Sequence, residues 1–246
     1  MSEFTAPMVY SAASPAPQEW PKQKTWSISA ASNHAQCPLK YRFIRIDKLP
    51  VPVETGGPLV RGLDVHSKFD GYLKTGAWDF ATGEFALWRP LLDSLRAVNA
   101  QSEIKAAFTQ VWAPCGFFAP DVWFRGVFDV VVPPHAGNEW TVTVIDFKTG
   151  KRYDKHPLEA RIYSLAALKM YPDARSALTQ YWYVDEEPSK VPLVHAADRA
   201  AIIELERAAD AMSHDVLNDT LYPARTGFHC RYCHFRKSNG GPCAFG

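Results

Sequence analysis

The sequence predicts an α/β (α+β) fold in which a mixed central sheet is flanked by helices. Three observations lead there. Helical patterning dominates residues 27–98, two-residue alternation of apolar side chains runs through residues 102–148, and an amphipathic stretch then separates these strands from another strand-like run. With 246 residues, 47% of them apolar and 13% aromatic, the chain can bury a sizeable core.

Taken in order, residues 1–24 are rich in Ala, Pro and Ser and are expected to form a flexible tail, with a single domain over 25–246. Ser27 or Ser29 can cap a helix running through ASNHAQCPLKYRFIRID to Lys48, although Pro38 should perturb it or fit near a helix start. VPVETGGP is a loop. Further helices are expected from Leu59 to about Lys74 and from Leu87 to about Val98. Strands are then expected in SEIKAAFTQVWA, VWFRGVFDVVV and WTVTVIDFK, with PPHAGNE turning between the last two. Pro157 to Met170 carries apolar side chains at Leu158, Ile162, Leu165, Ala166 and Leu168, the pattern of an amphipathic helix. The strand LTQYWYV follows, with VPLVH as a further candidate, and a helix from about Ala197 to Ser213 leads into a cysteine-rich end. No internal repeat is present.

Composition narrows the functional classes. No run of eighteen apolar residues occurs, and the N-terminal segment lacks the apolar stretch of a secretory signal, so a cytoplasmic protein without a membrane span is expected. A net charge of +1 does not announce a nucleic-acid binder, because affinity for phosphate backbones depends on local clusters. Three basic clusters are present: Lys40, Arg42, Arg45 and Lys48; Lys148, Lys151, Arg152 and Lys155; and Arg225, Arg231, Arg236 and Lys237. Ordinary solvated faces explain many such runs.

The chemistry is concentrated around VTVIDFKTG, Val142 to Gly150. By the period of two, Val142, Val144, Asp146 and Lys148 share one strand face, which places an acid and a base side by side. An edge strand reaching solvent would be the ordinary explanation of an isolated D-x-K. Asp129, however, sits amid Phe128, Val130, Val131 and Val132 in the expected hairpin partner, where a lone buried charge would cost several kcal/mol. Two acids on neighbouring strands call for a cation, and oxygen ligands suit Mg²⁺ or Mn²⁺. The two carboxylates share a face only if paired residue numbers add to an odd value, as with Val132 opposite Thr141, unless a bulge intervenes. His66 lies one helical turn after Gly62 and could add an imidazole, and Glu159 and Tyr163 stack four apart on the helix after the D-x-K strand.

In sequence order these features resemble the PD-(D/E)xK nuclease superfamily, specifically its RecB-like branch. The family pattern of G-x-x-x-H, G-x-x-D, (D/E)-x-K followed by Thr-Gly, and Q-x-x-x-Y appears as Gly62 to His66, Gly126 to Asp129, Asp146 to Gly150, and Glu159 to Tyr163. Glu159 departs from the family pattern, standing where Gln is usual. The resemblance covers about residues 26 to 245 and implies a restriction-endonuclease-like core performing metal-dependent hydrolysis of DNA, as an exonuclease in recombination, repair or processing. Asp129, Asp146 and Lys148 would be catalytic; His66, Asp129 and Asp146 would hold Mg²⁺ or Mn²⁺, with the Phe147 carbonyl as a further ligand. Lys148 would orient or deprotonate water or stabilise developing negative charge, and Glu159, Tyr163, Lys151 and Arg152 would contact DNA.

Five cysteines without an export signal argue against a disulfide framework. Cys230, Cys233 and Cys243 need a fourth ligand. Thiolates serve zinc as well as iron–sulfur clusters, and His229 and His234 flank the pair. The resemblance implies a four-cysteine [4Fe-4S] cluster on Cys37, Cys230, Cys233 and Cys243, formed by segments 25–58 and 214–246, with Zn²⁺ as the alternative metal. Cys115 is then left as a structural thiol. A catalytically inactive, metal-stapled nucleic-acid-binding or assembly subunit is the rival reading, and a zinc-tailed enzyme of another class is a second. A recombination, helicase or CRISPR adaptation protein is an expected partner; the chain itself has no G-x-x-x-x-G-K-[ST] motor motif.

Overall fold

The structure is a computed structural model that describes residues 19–52, 56–77, 83, 85–150, 152, 156–188 and 193–245. Helices α1 (Ile28–Gln36), α2 (Pro38–Arg45), α3 (Pro58–Thr75) and α4 (Arg89–Ala97) precede strands β1 (Gln101–Phe108), β2 (Phe124–Val132) and β3 (Thr141–Lys148). Helix α5 (His156–Met170), β4 (Ser176–Tyr183), β5 (Leu193–Asp198) and α6 (Ile202–Asn218) complete the main elements. The sheet order is β1-β2-β3-β4-β5, with β3 and β4 parallel and every other pair antiparallel. Helix α5 is the crossover that the parallel pair requires.

Two apolar layers follow from the alternation of the strands. Val142 and Val144 of β3 pack with Ile162, Leu165 and Leu168 of α5 and with Leu205 and Ala209 of α6. On the other face Ile145 and Phe147 meet Val65 and Phe69 of α3 and Leu92 of α4. The aromatic content is spent mostly in these layers; Phe69 stands edge-on to Phe147 at 4.8 Å and Trp88 stacks on Trp182 at 5.6 Å.

Several boundaries differ from the sequence expectation. The helix expected to reach Lys48 breaks at Cys37, whose φ and ψ of −161° and 104° are extended. Pro38 then opens α2 at its first position, where its missing N–H costs nothing. Strand β1 stops at Phe108, and Ala197 belongs to β5, so the last long helix starts later than expected. Residues 1–18 of the expected tail lie outside the described residues, but Trp20 is anchored: its N–H bonds Thr220 C=O at 2.8 Å and Arg42 lies 4.4 Å from its ring centre. Among the described residues no helix is long and apolar enough to cross a membrane.

Leu165 is fully buried between the sheet and α6. Leu165→Ala should therefore lower unfolding free energy by about 2–5 kcal/mol, read by chemical denaturation.

Candidate active site

The site forms where β2 leaves β3. Their ladder pairs Val132 with Thr143, Val131 with Val144 and Val130 with Ile145, an odd register displaced by two residues from the Val132–Thr141 pairing used to illustrate it. That register puts Asp129 level with Asp146, but regular pairing ends one step earlier. The Phe147 N–H, deprived of a ladder acceptor, bonds Asp129 Oδ2 at 2.7 Å instead. On the other side, β1 pairs Ser102 with Val130 and Ile104 with Phe128, which brings Glu103 level with Asp129. Glu103, Asp129 and Asp146 thus form a row of acids across three strands, and like charges so placed repel.

Helix α3 brings His66 onto this row. Its Nδ1 lies 3.1 Å from Asp129 Oδ1 and its Nε2 lies 3.0 Å from the Phe147 carbonyl oxygen. His66, Glu103 and Asp129 offer ligand atoms within 4.8 Å of one another. The sequence reading anticipated His66 and Asp129 and missed Glu103, while the Asp146 carboxylate falls outside this tight triple. Glu103 escaped notice because SEIKAAF reads as an ordinary strand with its acid facing solvent. Its φ of 52° departs from strand geometry and turns the residue out of the regular alternation.

Asp146, 7% exposed, faces the α5 layer. Tyr163 donates to its Oδ1 at 3.0 Å, and Lys148 Nζ stands 2.7 Å from its Oδ2. That ammonium is the ion-pair partner of the buried Oδ2. Lys148 Nζ also lies 3.7 Å from Glu159 Oε2, and Ser32 donates to Glu159 Oε1 at 3.4 Å. Glu159 is buried and engaged with the lysine. Lys148, Glu159 and Tyr163 floor an open cleft of about 620 Å³ whose walls include Ser29, Arg45, Phe117 and Arg125.

The other expected DNA contacts fare differently. Arg152 is held by Glu186, with Nε to Oε1 at 3.2 Å and Nη2 to Oε2 at 2.8 Å, and its charge is largely neutralised. Lys151, with Lys155, lies outside the described residues. After Lys148 the chain turns at Gly150, whose φ of 86° favours glycine, and the Gly150 N–H bonds Asp185 Oδ2 at 2.7 Å. Asp185 also pairs with Arg61 of α3, tying the helix that carries His66 to the end of the D-x-K strand.

Cys37, Cys230, Cys233 and Cys243 converge on one small hollow with Lys40, Phe43 and Arg225, all four as free thiols. The terminal segment is tightly folded: Cys243 N–H bonds Phe235 C=O at 2.9 Å, and a Cβ on Gly241 would come within 2.3 Å of the Phe235 backbone. Phe235 in turn meets Phe43 of α2 edge-on at 5.3 Å.

Electrostatics follow from the crowding of acids. Burial, then the charge of Asp129, pushes the Asp146 carboxyl up to about 6, although Lys148 and Tyr163 pull it down. Burial, with Asp129 and Asp70, raises Glu103. Burial alone would lower His66 and Lys148, but the neighbouring carboxylates outweigh it and raise both, so Lys148 is held as an ammonium. Burial and the nearby acids keep Tyr163 a neutral phenol.

Carboxylate oxygens with one imidazole make a donor set that fits a hard divalent cation. Because the folded pKa of Asp146 is raised, its proton stabilises the metal-free fold at acid pH, and that contribution is lost as pH rises through about 6. His66, also raised, acts in the same direction. A divalent ion must displace these protons, so Mn²⁺ should raise the melting midpoint more at about pH 8 than at about pH 5.5. Equal shifts in thermal melts at the two pH values would contradict the arrangement.

Among solved structures, a provisionally assigned exonuclease from Eubacterium rectale is similar at 13% identity and a TM-score of 0.49, over 91% of this chain and 90% of that one. The protein SSO0001 is similar at 16% identity and a TM-score of 0.39, over 87% and 84%. No curated protein gives a match. The family model of the PD-(D/E)XK nuclease superfamily matches residues 81–238, well over half of the chain, a span that contains Glu103, Asp129, Asp146, Lys148 and Tyr163. The chain belongs to the PD-(D/E)XK nuclease superfamily.

Proposed function

We propose that this protein is a metal-dependent deoxyribonuclease of the RecB-like branch, hydrolysing DNA phosphodiester bonds from an end. The observation that carries this reading is the row of Glu103, Asp129 and Asp146 beside Lys148, which itself lines an open cleft. His66, Glu103, Asp129 and the Phe147 carbonyl would hold Mg²⁺ or Mn²⁺, joined by the Asp146 carboxylate, whose Oδ2 is paired with Lys148. Such an ion acidifies water and offsets charge on the scissile phosphate. Lys148, kept as an ammonium between Asp146 and Glu159, is suited to stabilising negative charge that develops on the phosphate and less to taking up a proton. Tyr163 aligns Asp146 through its hydroxyl. Glu159, at the usual Gln position, positions the lysine and leaves phosphate binding to the cations along the cleft.

An inactive binding subunit would have no need for three clustered acids beside a half-buried lysine on an open cleft. The test is digestion of end-blocked linear, circular, single-stranded and double-stranded DNA with Mg²⁺ or Mn²⁺. Lys148→Ala should lower turnover by at least about 100-fold, the scale of losing one transition-state electrostatic contact. Glu103→Gln should weaken Mn²⁺ binding in calorimetry. Folded Asp146→Ala and Lys148→Ala proteins that digest DNA at the parent rate would refute the reading, and cleavage of circular DNA would exclude a requirement for an end.

We further infer that Cys37, Cys230, Cys233 and Cys243 hold a [4Fe-4S] cluster. A tetrahedral zinc site with bonds of about 2.3 Å draws its sulfurs to about 3.8 Å of one another. The four thiols around one hollow are the ligand set that a four-cysteine cluster takes. Bound there, it would clip the N-terminal helices to the chain end and close a very long loop. Protein purified without oxygen should be brown and contain iron, and Cys37→Ala should lose most of both while melting at lower temperature. A colourless protein with stoichiometric zinc would identify zinc in its place.

A further inference from the structure

The connection between β1 and β2 puts two phenyl rings where turns ordinarily carry polar residues. The Ala119 N–H bonds Gly116 C=O at 2.9 Å, which makes Phe117 and Phe118 the central residues of a β-turn. Phe118 is 81% exposed, more than any other large apolar side chain among the described residues. Phe117 is half-buried and lines the cleft that ends at Lys148. Their rings meet edge-on at 5.2 Å.

This turn is held firmly. Trp112, buried, packs against Phe108 and Phe124, each at 5.3 Å. Cys115 N–H bonds Ala107 C=O at 3.0 Å and Trp123 N–H bonds Phe108 C=O at 2.8 Å, so both limbs of the connection are fastened to the end of β1. Two rings presented to solvent on a rigid support form a preformed surface rather than a loose flap.

The charge beside them is free. Arg125 lies 5.6 Å from the Phe117 ring centre and 5.5 Å from that of Phe118, with Lys105 at 6.0 Å from Phe117. Among the described residues Arg125 has no carboxylate partner, and its Nε is buried without an acceptor. Arg45, on the same cleft, likewise has no ion pair among the described residues, whereas Arg42, Arg61 and Arg152 are matched to Asp47, Asp185 and Glu186. Exposed aromatic faces next to unmatched guanidinium groups suit a ligand with flat rings strung on a polyanion.

We propose that Phe117, Phe118 and Arg125 form a stacking platform for an unpaired nucleobase of single-stranded DNA, whose backbone enters the cleft past Arg45 toward Lys148. The proposal deepens the nuclease reading and rests on it. A base locked in a duplex cannot offer its face to these rings, so the platform selects a single-stranded segment over blunt duplex. A protein partner docking on the same rings would leave DNA binding indifferent to them.

The test is fluorescence anisotropy in EDTA, which separates binding from cleavage. The probes are labelled oligothymidylate, an abasic chain of the same length, and a blunt duplex. The parent should bind oligothymidylate more tightly than either of the others. Phe118→Ala, at an exposed position, should keep the parent's melting temperature yet weaken oligothymidylate binding by about 5- to 150-fold, toward the abasic value. Phe118→Trp should restore binding. Equal affinity of the parent for the abasic chain, no change in Phe118→Ala and Phe117→Ala, or no DNA binding at all would each overturn the platform. Ring-dependent binding by a protein that digests nothing with Mg²⁺ or Mn²⁺ would sink the nuclease reading and keep the platform; digestion with base-independent binding would do the reverse.

Discussion

The Phe147 N–H accepted by the Asp129 carboxylate is the bond on which the site depends. When β2 diverges from β3 beyond Val130 and Ile145, a backbone donor in the middle of the sheet loses its ladder acceptor, and a buried donor must be satisfied. Asp129 satisfies it with one oxygen and turns the other toward His66. The fork in the sheet and the position of the acid are therefore one feature. The same bond leaves the Phe147 carbonyl near His66, so backbone and side-chain oxygens converge where the strands part.

Charge gives the fork its chemistry. Three strands deliver Glu103, Asp129 and Asp146 to one level of the sheet, where burial and the charge of Asp129 raise both Glu103 and Asp146. Lys148 answers part of that repulsion from one side, with Glu159 behind it. The arrangement is short of positive charge at the acid row, which a divalent cation would supply, and the lysine remains turned toward the cleft where a phosphate would lie. Asp185 keeps the two halves in position, because it holds both Arg61 of α3 and the Gly150 N–H after the D-x-K strand.

The cysteine hollow and the cleft share a wall. Cys37 is the junction between α1 and α2, and those same helices carry Ser29 and Arg45 along the cleft. Aromatic packing of Phe43 on Phe235 and the close crossing at Gly241 already bring the chain ends together around the four thiols.

Much of this was legible in the sequence. Alternation located the core strands, the periodicity of Pro157 to Met170 located the crossover helix, and an odd register was the stated condition for Asp129 and Asp146 to share a level. Residue spacing also brought out His66, Asp129, Asp146, Lys148 and Tyr163, because each sits in a local pattern whose period fixes its direction. The sequence alone determined which face of its element a regularly alternating residue occupies, since that depends on backbone periodicity within a few neighbours; Glu103, with its φ of 52°, breaks that period. It could not determine which elements meet at one level, and so it passed over Glu103, left Arg152 looking free when Glu186 neutralises it, and ran one helix through Cys37. Those outcomes were decided by tertiary structure, because strand register, splay and ion pairing depend on contacts between segments far apart in the chain, where no local period carries information.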